Sequence, residues 1–200
     1  VGVAVHDGGN SYSNSVLGFG AEYTQQAYRY DKHHLVPLGE FIPFGFRWFV
    51  EMMRIPLGDF SSAGLAQRPM QVKDQWVLPN ICYEDLFGEE IAWQLAHQLN
   101  SNGNSASILL NVSNLAWYGD SLAIPQHLQI SQMRSLETGR PMLRATNSGA
   151  TAVINARGEV VAQLKALTKD TLSAKVQGSR GFTPYVRWGN AAVIVLALLS

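Results

Sequence analysis

The sequence predicts an α/β domain. Short apolar runs alternate with stretches of helical period early on, and hairpin signals dominate late. Of 200 residues, 46% are hydrophobic and five are Trp, enough for a real core and against disorder. The length suits about one ordinary domain with layered sheets. There are 15 basic and 15 acidic residues, so no basic face is expected and nucleic acid is not a partner. A single cysteine excludes an internal disulfide and a cysteine-rich zinc site, and leaves the compartment open.

The elements follow in order. "VGVAVHDGGNSYSNSVLGFGAE" at 1–22 reads as strand, Gly/Asn/Ser loop, strand, with "VGVAV" at 1–5 the first strand. Residues 28–36 are mixed in character and end at Pro37. Residues 40–60 concentrate large apolar groups, among them Phe41, Phe44, Phe46, Trp48 and Phe49. Prolines 37, 43 and 56 prevent one long helix there, so the segment is either core or an exposed apolar lid. Gln75 to Ile81 is a strand. From Asp85 the chain turns helical, with Phe87, Ile91, Leu95 and Leu99 at every fourth position and Glu89 and Glu90 near the positive end. "ASILLNVS" at 106–113 is a buried strand. Pro125 opens a second helix that Gly139 stops. "MLRATN", "ATAVINARGEVVAQL" and "DTLSAKV" read as three or four strands, with a hairpin turn at Ala156-Arg157-Gly158. The last twelve residues, "GNAAVIVLALLS", are apolar and uncharged. A bilayer span needs about 20 residues, so this run is either core or the first half of a transmembrane helix anchored by Arg187 and Trp188.

Cys82 falls where a strand ends and a helix begins, among Glu84, Asp85 and Glu89. A helix start favours a thiolate, and the N–H of Tyr83 can serve as an oxyanion donor. A lone cysteine more often just packs in a core. Lys32 by itself reads as a surface charge, with Glu40 eight residues on. His33 and His34 are adjacent, which on a strand points them to opposite faces and argues against a metal site. "NVSNLAWYGDS", 111 to 121, is a strand running into a polar and aromatic loop, the place where α/β sites are built.

Taken together and in this order, "YDKHHLVPLGEFIP", "ICYED", "NVSNLAWYG", "QHLQISQMRSLETGRPMLRATNSGATAVI" and "GFTPYVRWGN" resemble the nitrilase (carbon-nitrogen hydrolase) superfamily, and within it the membrane branch of apolipoprotein N-acyltransferases. The strings span about residue 12 to the end. The resemblance implies an α-β-β-α sandwich over residues 1–186, N-terminally incomplete, with an apolar lid at about 40–60 and the start of a C-terminal transmembrane helix at 187–200. It implies Cys82 as nucleophile, Lys32 as oxyanion partner, Glu40 as a second acid, and Tyr83 and Glu84 as supporting neighbours. Phe44, Phe46, Trp48 and Trp117 would contact substrate. The family shows Phe where this chain has Leu38, a change without chemical consequence. Its general-base glutamate lies well upstream of the lysine. Only 31 residues precede Lys32, and Glu22, the one glutamate among them, is outside the base's motif, so no base is assigned.

The implied reaction moves an acyl chain from a phospholipid, through a cysteine thioester, to the α-amine of a lipidated N-terminal cysteine of an apolipoprotein. It needs no metal and no organic cofactor. The implied setting is a monomer in the bacterial inner membrane, its catalytic domain on the periplasmic face. Two alternatives remain open on the sequence: a soluble nitrilase-type amidase, and a lipid-contacting domain without activity.

Overall fold

The computed structural model describes residues 1–9, 11–45, 48, 60–102 and 105–199. The chain divides into two compact units, Val1–Leu65 and Ala66–Ser200.

The first unit is built on a three-stranded antiparallel sheet, ordered β1 (Gly2–Gly8), β2 (Ser11–Gly18) and β3 (Tyr28–Asp31). The two-residue period of β3 places Tyr28 and Tyr30 in the core. Arg29 and Asp31 take the other face. There Arg29 pairs with Asp7 at 2.5 Å and Asp31 at 2.7 Å. After β3 the chain turns sharply at Pro37–Glu40, with Leu38 in the left-handed region at φ 60.

The second unit holds a six-stranded mixed sheet, ordered β4 (Met70–Val72), β5 (Gln75–Ile81), β6 (Ile108–Ser113), β7 (Met142–Thr146), β8 (Ala152–Ile154) and β9 (Val160–Gln163). The central strands β5, β6 and β7 run parallel. Each parallel step is made through a helix, α1 (Gly88–Asn102) and then α2 (Ala123–Thr138). Leu78, Leu109, Met142 and Ile154 project from successive strands into one core with Ile91 and Leu95 of α1 and Ile124 and Leu128 of α2. Leu95 has no exposed surface, so truncation to Ala costs about 2–5 kcal/mol. Gly139 ends α2 in the left-handed conformation at φ 64, as its position in the sequence predicts. The turn at residues 155–158 is closed by hydrogen bonds between Asn155 and Glu159, with Gly158 at φ 79.

Two expectations need correction. "DTLSAKV" forms no strand: residues 164–183 run without regular structure, their alternation unmatched by any partner strand. The stripe on α1 begins at Ile91, because Phe87 precedes the helix; the side chain of Leu99 lies outside the described residues. The chain ends in two short helices, α3 (Pro184–Trp188) and α4 (Ala191–Leu199), separated at Gly189 with φ 52, and the C-terminal apolar run forms α4. Among the described residues no helix is long and apolar enough to cross a membrane. The apolar side chains of α4, such as Val193, Leu196 and Leu198, are exposed.

Candidate active site

In the first unit the site residues are Lys32 and Glu40. Lys32 follows β3 directly, and its side chain is only 1% exposed. Its Nζ donates to Glu40 Oε2 at 2.6 Å. Glu40 is held by two further donors: the backbone N–H of Val36 on Oε2 and Asn14 Nδ2 on Oε1, both at 2.8 Å. The tight turn at Leu38 brings Glu40 back over the end of β3. A buried ammonium needs such a partner, since an uncompensated charge there would be strongly destabilising. Nearby, His33 and His34 meet ring edge to face, at 6.4 Å between centroids. Among the described residues no group of three or more His, Cys, Asp or Glu side chains is placed to hold a metal ion.

In the second unit Cys82 sits immediately after β5, partly exposed. Its φ is 51, so the nucleophile candidate occupies the left-handed region, which costs an L-residue about 1–2 kcal/mol. Strain of this kind collects where a side chain must be presented at a sheet's end. The helical segment that follows is a five-residue 3-10 turn, Cys82–Leu86, and α1 starts only at Gly88. The helix-dipole contribution expected at Cys82 is therefore that of one short turn. Glu84 is buried and ties the turn to the strand: its carboxylate accepts from the Ile81 N–H at 2.6 Å. Tyr83 packs edge-on against Phe87, with ring centroids 5.3 Å apart.

The aromatic candidates are solvent-facing. Trp48 is 64%, Trp117 83% and Phe44 fully exposed. Phe46 lies outside the described residues, as does most of the expected lid.

The sequence reading missed a polar layer under the Cys82 turn. Asn80, Asn111 and Arg144 stand in register across β5, β6 and β7, all buried. Asn111 Nδ2 donates to Asn80 Oδ1 at 2.6 Å and to the Cys82 carbonyl at 3.3 Å. Asp85, wholly buried within the turn, accepts from Ser131 Oγ at 2.8 Å and Arg144 Nη1 at 3.1 Å. Arg134 fixes the end of the turn from α2, donating to the Asp85 and Leu86 carbonyls at 3.1 and 2.9 Å. The available signal was two asparagines and an arginine inside otherwise apolar strands, where a polar side chain demands a partner.

Residues 1–185 match the carbon-nitrogen hydrolase family. The chain belongs to that family. As a carbon-nitrogen hydrolase family member it is similar, at 57% identity over its whole length, to the apolipoprotein N-acyltransferase of Ralstonia nicotianae, and covers 38% of that protein. It is 52% identical to the Nitrosomonas europaea protein of the same name, over 94% of the chain and 36% of the relative. The chain thus spans little more than a third of the length of these relatives. Among solved structures it resembles a carbon-nitrogen hydrolase from Helicobacter pylori G27, with TM-score 0.60 and 15% identity over 84% of this chain and 58% of that one. A structure of the amidase from Nesterenkonia sp. AN1 gives TM-score 0.60 and 15% identity over 98% of this chain and 67% of the amidase. These structures establish the shared nitrilase-like α/β fold.

Proposed function

We propose that this chain is the catalytic part of a bacterial membrane N-acyltransferase, moving a fatty acyl chain from a phospholipid to the α-amine of the N-terminal lipidated cysteine of an apolipoprotein. The observation that carries the reading is the 57% identity, along the whole chain, to a protein named for that reaction. The strained placement of Cys82 and the buried Lys32–Glu40 pair support it.

In this reading Cys82 Sγ attacks the ester carbonyl of the phospholipid. The S–C bond forms, the tetrahedral oxyanion collapses, and the glycerol oxygen leaves with a proton. A glutamate base, of the kind the resemblance implies, takes the thiol proton and returns it to that oxygen. The acceptor amine then attacks the thioester carbonyl, the C–S bond breaks, and the thiol regains its proton. Lys32, with Glu40 as its counter-charge, and the Tyr83 N–H would stabilise the oxyanion in both steps. Glu84 keeps the nucleophile's turn in place. Phe44, Phe46, Trp48 and Trp117 would receive the acyl chain, an apolar lid over residues 40–60 would lie in the headgroup zone, and α4 would begin a membrane anchor. The setting proposed is the inner membrane, with this domain on the periplasmic face and the enzyme a monomer.

The test uses the full-length polypeptide in detergent with a phospholipid donor and a diacylglyceryl-cysteine peptide with a free amine. The expected product is the N-acylated peptide, detected by mass. Hydrolysis of small amides without any peptide acylation would overturn the reading.

A further inference from the structure

Arg144 has no part in the chemistry just described, yet four hydrogen bonds hold its side chain in the layer next to the Cys82 turn. Its guanidinium is buried in the sheet's core face. Nη1 donates to Asp85 Oδ2 at 3.1 Å, to the His127 carbonyl at 2.8 Å and to Ser131 Oγ, and Nε donates to the Ala150 carbonyl at 3.3 Å. Among the described residues Nη2 is a buried donor with no hydrogen-bond partner, and so is Nδ2 of Asn80 in the same cross-strand row. One of its partners, Asp85, belongs to the turn that begins at Cys82. The row's middle member, Asn111, holds the Cys82 carbonyl.

A buried arginine answered by one carboxylate could simply be structural. Two facts point further. The pair lies directly under the strained turn, in the row that grips the Cys82 backbone. Burial also pulls the Arg144 guanidinium below its ordinary range, while charge on Asp85, and next charge on Cys82, pulls it back up. That interaction is mutual, so the cation favours the thiolate as much as the thiolate favours the cation.

We propose that Arg144 is a positioning residue for the nucleophile: its buried guanidinium, clamped by Asp85, Ser131 and the His127 carbonyl, fixes the Cys82 turn and favours the Cys82 thiolate. The proposal rests on Cys82 being the nucleophile. The charged and titratable groups facing this layer are Glu84 and Asp85 from the turn, His127 and Arg134 from α2, and Arg144 itself from β7.

The experiment measures iodoacetamide alkylation of Cys82 against pH, with melting temperature, in the full-length polypeptide. Arg144→Met should move the alkylation midpoint up by about one pH unit, about a tenfold loss of rate at neutral pH. Arg144→Lys, which keeps the charge, should restore most of it. Because Arg144→Met takes the arginine charge away from buried Asp85 and so threatens folding, the double variant Asp85→Asn/Arg144→Met carries the decision. It should regain melting temperature and keep the raised midpoint. An unchanged midpoint in Arg144→Met, or a midpoint restored in the double variant, would mean that Arg144 only neutralises Asp85 and would overturn the proposal. Failure of the underlying reading shows separately, in the parent protein, as no acyl adduct on Cys82 with phospholipid.

Discussion

Lys32 donates to Glu40 across 2.6 Å while its side chain is almost wholly removed from solvent. The lysine is therefore neither a surface charge nor free to roam. Glu40→Ala is expected to leave a buried cation without its counter-charge, costing about 3–5 kcal/mol. Acyl transfer should fall at least about 100-fold as the oxyanion donor loses its position. Thermal melting and transfer rate check this. A variant that melts like the parent would show that the pair contributes nothing to the fold.

Cys82 adopts φ 51, a conformation that glycine takes without strain. Cys82→Gly and Cys82→Ala should both be inactive. The glycine variant should be the more stable of the two by about 1 kcal/mol, the strain relieved less the freedom glycine gains in the unfolded chain. Denaturation of the two variants side by side decides. If alanine proves equal or better, the turn is not strained.

Glu137 gives a pH dependence of defined sign. Burial raises its carboxyl above the ordinary 4.5, opposed by the charge and hydrogen bond of Arg134 and reinforced by Glu89. The folded state thus binds this proton more tightly than the unfolded chain does. The resulting stability is complete below about pH 4.5 and is lost as pH rises through the folded value. Glu137→Gln should remove that slope, so that the parent loses more melting temperature than the variant as pH rises above 4.5. Melting curves of parent and variant across mildly acidic to neutral pH test it; parallel losses would contradict it.

Much of the second unit was legible because its signals are local. The continuous apolar runs at Gln75–Ile81 and Ile108–Ser113 belong to parallel strands covered by helices, and Gly139 stops α2 where expected. The Lys32–Glu40 pair was legible only through the family resemblance, since neither spacing nor composition distinguishes it from two surface charges. Residues 170–176 alternate like a strand, but alternation cannot supply a hydrogen-bonding neighbour. The C-terminal run reads as one apolar stretch and forms one helix, α4, set off from α3 by Gly189 at φ 52. The Asp85–Arg144 pair joins residues 59 positions apart. Nothing local could reveal it; only the parallel register of β6 and β7 sets Arg144 opposite Asn111, in the layer below Cys82.

The central claim is that Cys82 carries the acyl chain. Incubating the full-length polypeptide with phospholipid, without acceptor, and measuring its intact mass tests this most directly. The account predicts one added acyl group, mapped to Cys82, lost on hydroxylamine treatment and absent from Cys82→Ala. An acyl adduct that persists in Cys82→Ala would contradict it.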